Sequence, residues 1–259
     1  MTLAVDYYDS IAILLLANMT DSQRADRGLS ERLRVVRTRI EAAAHSCDRT
    51  PEEITLIAIS KTHPASAIRE ALELGLTDFG ENRLQEAEPK IVEVGRSKAR
   101  WHLVGHLQAN KARRALKLFD VIHSLDSIEL ALRLDRLCSE EGREELPVLI
   151  QVDLGQEETK SGINEPGLLD LVRSLDKCQH LRLSGLMTLP PFFEDPEKAR
   201  PYFRKLRELR DELAKQDSFH NGKGELSMGM THDFEVAIEE GATMVRIGTA
   251  IFGERLPRT

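Results

Sequence analysis

The chain alternates between two kinds of pattern. Short runs rich in Ile, Val and Leu give way repeatedly to stretches whose apolar residues recur at helical spacing. Eight runs read as strands, over 54–60, 77–81, 101–105, 121–125, 147–154, 181–187, 226–228 and 244–247. Helices are predicted over 65–74, 82–94, 108–118, 127–141, 165–176, 196–215 and 231–240, and over 30–46 before the first strand. Parallel neighbours are reached only through a crossover, so this alternation predicts a parallel sheet with helices outside. Eight repeats close such a sheet into an α/β fold of the (β/α)8 TIM barrel type. No linker, low-complexity run or composition shift marks a second domain, so 26–259 reads as one barrel and 1–25 as an N-terminal extension.

Composition narrows the function. Hydrophobic residues make up 41% and charged residues 31% of the 259, as in a soluble globular protein. The net charge of -7 argues against general nucleic-acid binding, which needs a basic footprint. Cys47, Cys138 and Cys178 are scattered, without a CxxC pair, which suggests a reducing compartment and no disulfide framework. Ile11–Ala17 is apolar but too short to span a bilayer, and Asp6 and Asp9 stand where a signal peptide carries positive charge. A cytoplasmic location is expected, with no membrane association.

One strand ends in an unusual residue. Ile54–Ser60 reads as buried on both faces and runs into Lys61, with Pro64 opening the next helix. A lysine at the end of a buried strand is costly unless it is used, paired or able to reach water. In a barrel, the C-terminal mouth of the strands is where active sites sit.

The second informative stretch is Leu226–Gly253, LSMGMTHDFEVAIEEGATMVRIGTAIFG. Gly229 lies at one strand-to-helix junction, with Thr231 and Asp233 placed to cap the helix after it. Gly248 and Thr249 lie at the next. Adjacent strand ends that each open a helix make an anion cradle of free N–H groups, positive helix ends and hydroxyls. In barrels, phosphate is commonly seated after the seventh and eighth strands. Ser227, Thr231 and Thr249 would supply hydroxyls, and Gly248 would admit a close backbone approach. For either turn alone, helix capping is sufficient explanation; two turns with Arg246 beside one favour an anion. Arg246 alternates in phase with Gly248, so it faces the barrel interior and needs an acceptor: a phosphate, a pyridine nitrogen, or a carboxylate such as Glu81 or Asp233.

An amine at one strand end and a phosphate seat on the same rim suit an aldehyde cofactor held by a Schiff base. The series ISKTHP, FGENRLQEA, WHLVGHLQANKAR, IHSLDS, TKSGI, LSGLMTLP and LSMGMTHDFEVAIEEGATMVRIGTAIFG resembles the pyridoxal-phosphate homeostasis protein family, in order, over roughly three-quarters of the chain. The resemblance implies an alanine-racemase-like barrel without the racemase's C-terminal β domain, and pyridoxal 5'-phosphate (PLP) as the cofactor. It implies Lys61 as the Schiff-base lysine, and Ser227, Gly229, Thr231, Gly248 and Thr249 around the phosphate. Arg246 would face the pyridine nitrogen and Asn82 would lie near the ring. His106, Met187, Met228, Met230 and Ile247 complete the expected cofactor surroundings. Three features depart from the family pattern: residues 1–25, Asp153 where Asn is more usual, and the turn Asn221-Gly222-Lys223-Gly224.

Arg246 also bears on mechanism. An arginine is always cationic and opposes protonation of the pyridine nitrogen, which weakens the ring as an electron sink. Racemases of this type compensate with two placed bases, one a tyrosine from their second domain. This chain has three tyrosines, Tyr7 and Tyr8 in the extension and Tyr202 on a predicted helix. The expectation is therefore a monomeric PLP-binding protein of PLP homeostasis, with little or no turnover, that passes the cofactor to apo PLP-dependent enzymes. The alternatives are a PLP-dependent amino-acid racemase or a Schiff-base aldolase with Glu81 as general acid.

Other candidates carry less. His102 and His106 have an i, i+4 spacing that brings metal ligands together only on a helix, and the intervening Leu103-Val104-Gly105 reads as strand. No metal site is expected. The basic run Arg96, Lys98, Arg100, Lys111, Arg113, Arg114 and Lys117 lacks interleaved aromatics and reads as a solvated face. Lys160, in TKSG, is either an anion contact, a second place for an aldehyde or a surface residue.

Overall fold

The computed structural model describes residues 28–155, 161–220 and 222–254. The predicted extension 1–25, Lys160 and Asn221 lie outside them. Eight parallel strands close in sequence order into the expected barrel: β1 (Thr55–Ile59), β2 (Asp78–Glu81), β3 (Arg100–Leu103), β4 (Val121–Leu125), β5 (Leu146–Gln151), β6 (Leu181–Met187), β7 (Glu225–Met230) and β8 (Met244–Ile247). Outside run α1 (Leu29–Ser46), α2 (Ala65–Glu73), α3 (Leu84–Val94), α4 (Ala112–Leu118), α5 (Ile128–Glu141), α6 (Glu165–Leu175), α7 (Arg200–Ala214), α8 (Phe234–Glu239) and α9 (Thr249–Phe252). Among the described residues no helix is long and apolar enough to cross a membrane.

Strand alternation sorts the side chains into two clusters. Ile57, Ile59, Val104, Val121, Leu149, Met187 and Met244 fill the barrel interior. A larger cluster between strands and helices includes Phe79, Trp101, Phe119, Phe203 and Phe234, all fully buried. Gly80 lets β2 close against β1, since a Cβ there would lie 2.4 Å from Ile59 Cδ1. α9 has only four residues, and α1 packs against α8 and α9 in the outer ring. Arg39 fastens α1 there, paired with Glu235 at 2.5 Å and lying over the Phe234 ring at 4.5 Å.

Helix ends follow local chemistry. Ser127 accepts the Leu130 N–H at the start of α5, which ends at Gly142 in the left-handed region (φ 68°). Thr50 and Glu53 form a reciprocal capping box on the turn before β1. The structure trims several predictions. The helices expected from Asn82 and Thr231 begin at Leu84 and Phe234, because the first residues after those strands turn at the mouth. The strand expected to reach Leu154 ends at Gln151, after which Val152 bridges to Ile163.

Candidate functional site

Lys61 follows β1 after Ser60, at the C-terminal mouth of the barrel, in a tight turn in which His63 N–H donates to Ser60 O. Thr62 has φ 67°, a left-handed conformation that costs a threonine about 1–3 kcal/mol. The turn is clamped from α3. Lys90 Nζ donates to Ser60 O at 2.8 Å, and the Thr62 N–H donates to Glu86 Oε1. Lys90 also pairs with Glu81 at 2.8 Å and Glu86 at 2.9 Å, and Ser60 Oγ donates to Glu81 Oε1 at 2.7 Å. His63 stacks on Phe252 of α9, 5.1 Å between centroids, which ties this turn to the end of the barrel seam. The sequence reading missed this clamp. Its one local signal was Glu86 and Lys90 at i, i+4 on a helix.

β8 is the other neighbour of β1, with Ala58 opposite Ile247. Continuing that register brings Lys61 level with the Thr249 turn. Gly248 sits at the contact, where a Cβ would lie 3.2 Å from Ile59 O. β7 pairs with β8 so that Met230 lies opposite Arg246, which sets Thr231 and Gly248–Thr249 at neighbouring strand ends. Gly229 is left-handed (φ 89°), and a Cβ there would meet Ala237 at 2.6 Å. The glycine is therefore required by packing of the turn as well as by its backbone.

Asp233 departs from the predicted role. It precedes α8 without a side-chain cap and accepts the Met230 N–H at 2.6 Å. Burial pushes its carboxyl upward, opposed by that N–H and by Arg246. The Met230 N–H is thus committed within the turn, which leaves Thr231, Gly248 and Thr249 as the rim donors of the predicted phosphate seat.

Arg246 is 3% exposed and, among the described residues, makes no ion pair. Nη1 donates to Ser227 Oγ at 2.6 Å and Nη2 to Thr188 O at 2.9 Å. A guanidinium has five N–H donors, so three remain for an acceptor at the mouth. Burial lowers its pKa to about 10, with Asp233 opposing, so it stays cationic at neutral pH. Of the two carboxylates considered for it, Glu81 is engaged by Lys90 and Ser60, and Asp233 acts only through its field.

Three predicted site residues have their side chains engaged within the protein. Ser227 is fully buried, its Oγ held between Arg246 and His123 Nδ1 at 2.9 Å, and is not a rim hydroxyl for phosphate. Met228 and Ile247 belong to the cluster between strands and helices, so their side chains point away from the barrel interior. Met187 lies in the interior cluster, and Met230 is 36% exposed at the end of β7. Asn82 and His106 share a cleft of about 580 Å³ with Arg83, Gly105 and Lys111 beside the β2 and β3 ends. Lys61 and Arg246 do not line it.

The remaining candidates resolve simply. Glu81 follows inward-facing Gly80 and so faces the helices, where burial raises its pKa against the pull of Lys90. It does not stand at the mouth as an aldolase acid. His102 and His106 do not converge: His102 is buried between Asp78 and His123, and exposed His106 meets Asp126 at 3.1 Å. Among the described residues no group of three His, Cys, Asp or Glu is arranged to hold a metal. The basic run divides among carboxylates, Arg96 to Asp120, Arg113 to Glu140 and Glu141, and Arg114 to Glu88. Burial pushes the Cys138 and Cys178 thiols up to about 11, which makes them inert. Of the three tyrosines, Tyr202 is within the described residues, on α7, stacked on Phe193.

The comparisons agree with the barrel fold. The alanine racemase N-terminal domain family matches residues 33–256. The pyridoxal phosphate homeostasis protein of Aquifex aeolicus (strain VF5) is 45% identical over 225 residues, covering 87% of this chain and 97% of its own. The pyridoxal phosphate homeostasis protein of Escherichia coli (strain K12) is 42% identical over 233 residues, covering 88% and 97%. The structure of PipY from Synechococcus elongatus PCC7942 with PLP bound is 38% identical, with a TM-score of 0.76 over 87% of this chain and 100% of that one. Alanine racemase from Corynebacterium glutamicum, at 17% identity, shares the fold with a TM-score of 0.63 and is covered over 61% of its length.

Proposed function

This chain belongs to the pyridoxal phosphate homeostasis protein family, and from that premise we propose that it binds PLP through a Schiff base on Lys61 and delivers it with little or no turnover. The single observation that carries the reading is Arg246, buried and, among the described residues, without a carboxylate ion pair, on the strand beside the one that leads into Lys61. A buried cation left open to the mouth is paid for only if an electron-rich ligand completes it. The donor set fits PLP: an amine, a guanidinium for the pyridine nitrogen, and the hydroxyls and main chain of Thr231, Gly248 and Thr249 for the phosphate. PLP supplies an aldehyde that condenses with an amine and a ring that draws electrons.

The chain's own residues limit what that ring does. Arg246 cannot hand a proton to the pyridine nitrogen at neutral pH. Tyr202 stacks on Phe193 in the outer layer, away from the position of a second base. Asn82 and His106 would approach the ring from their own cleft at the β2 and β3 ends. The recipients are apo PLP-dependent enzymes, and the protein acts as a cytoplasmic monomer.

The test has two parts. The purified protein is expected to be yellow and to regain its colour when stripped and given PLP. With PLP bound, it is expected to racemise no common amino acid faster than free PLP does. A colourless protein that stays so overturns the binding site; efficient racemisation overturns the carrier.

A further inference from the structure

Five strands contribute to a single line of hydrogen bonds across the barrel interior. Asp78 begins β2 at the end opposite the mouth, and its Oδ1 lies 2.9 Å from His102 Nε2. His102 Nδ1 lies 2.9 Å from His123 Nε2, and His123 Nδ1 lies 2.9 Å from Ser227 Oγ. Ser227 Oγ accepts from Arg246 Nη1 at 2.6 Å. His102, His123 and Ser227 are each 0% exposed.

The donors in this line have one consistent assignment when both rings are neutral. The Asp78 carboxylate only accepts, so His102 donates from Nε2 and its Nδ1 accepts. His123 must then donate from Nε2, and its Nδ1 accepts the Ser227 O–H. The lone pairs of Ser227 receive Arg246. Every bond thus points one way, from the guanidinium to the carboxylate. Burial favours neutral rings, and for His123 the nearby Arg246 charge adds to it. Burial alone would raise Asp78, but hydrogen bonds from His102 and Thr77 hold it below its usual range and keep it an acceptor.

We propose that Asp78, His102, His123 and Ser227 are positioning residues, a one-way relay that commits the Ser227 proton to His123 and fixes the Arg246 guanidinium toward the mouth. It rests on the reading of Arg246 as the group that meets the bound ring. The relay carries compensation for a buried cation through two neutral imidazoles to a carboxylate at the far end of the barrel. Arg246 is oriented without a carboxylate beside it that would compete with the ligand. No proton has to move; the relay acts by holding orientation.

The test begins with the cofactor-free protein. Nitrogen-15 NMR of the imidazoles is expected to show His102 and His123 both neutral with the proton on Nε2. A proton on Nδ1 of either ring, or a cationic ring at pH 7, overturns the relay whether or not PLP binds. The second arm uses the PLP-loaded protein. Asp78→Ala, at the far end, is expected to shift the absorption maximum of the bound cofactor, and Asp78→Asn, which keeps an acceptor oxygen, to restore it. Ser227→Ala is expected to weaken PLP binding by about tenfold, the scale of one charge-assisted hydrogen bond, with Ser227→Thr restoring it. If Asp78→Ala does not fold, the Ser227 pair decides. An unchanged cofactor spectrum in Asp78→Ala, or unchanged affinity in Ser227→Ala, overturns the connection to the site.

Discussion

Two buried cations flank β1 and are treated in opposite ways. Outside the barrel, Lys90 meets Glu81 and Glu86 directly, 2.8 and 2.9 Å away, and holds the backbone of Ser60. Inside, among the described residues, Arg246 donates to a hydroxyl and a carbonyl, and a carboxylate lies three hydrogen bonds further on. The first arrangement is closed: charge is neutralised where it stands, and the cluster can only hold shape. The second is open: the cation makes two hydrogen bonds and, among the described residues, meets no carboxylate directly. Burial of charge thus does not by itself separate scaffold from site. What separates them is whether the charge is matched locally.

The contrast breaks most visibly at Lys90. Lys90→Met leaves Glu81 buried with an unmatched carboxylate, and a loss of about 3–5 kcal/mol is expected in urea denaturation. Lys90→Met combined with Glu81→Leu is expected to recover much of it, because an apolar pair replaces a closed ion pair at little cost. If the double variant is no more stable than the single, the cluster is not closed in this sense.

The interior network responds to acid. Burial holds His102 and His123 below the ordinary value of 6.5, whereas in the unfolded chain both take up protons near it. The unfolded state therefore binds more protons, stability rises with pH, and it is lost as pH falls below about 6.5. Each ring contributes up to about 1.4 kcal/mol per pH unit in that window, and His123→Phe is expected to remove its share of the slope. Denaturation curves from pH 5 to 7 that do not respond to this change would contradict the neutral-ring account. The smallest effect belongs to the surface: Arg114→Ala, which removes a pair with Glu88, is expected to change stability by no more than about 0.5 kcal/mol in the same assay.

The barrel was legible because its signal is local and repeated. Each strand carries its own apolar run and each helix its own period, so eight weak statements reinforce one another. Lys61, Gly248 and Thr249 were legible for the same reason, since a residue at the end of a strand is located as soon as the strand is. The relay was not legible. Asp78, His102, His123 and Ser227 lie on four strands, and their contacts exist only once the barrel closes and alternation turns each inward. Ser227 shows the limit most clearly: its neighbours in sequence suggest a phosphate turn, but its phase on β7 points it at His123 and Arg246. Met228 and Ile247 fail in the complementary way, in sequence beside the site but facing the helices.

The most direct test is which amine carries the cofactor. Purified protein loaded with PLP would be reduced with borohydride, digested and mapped by mass spectrometry. Label on Lys61, abolished in Lys61→Ala along with the yellow colour, is the predicted result. Label principally on Lys90 or Lys160, with Lys61 unmodified, would contradict it and move the site away from the mouth between β1 and β8.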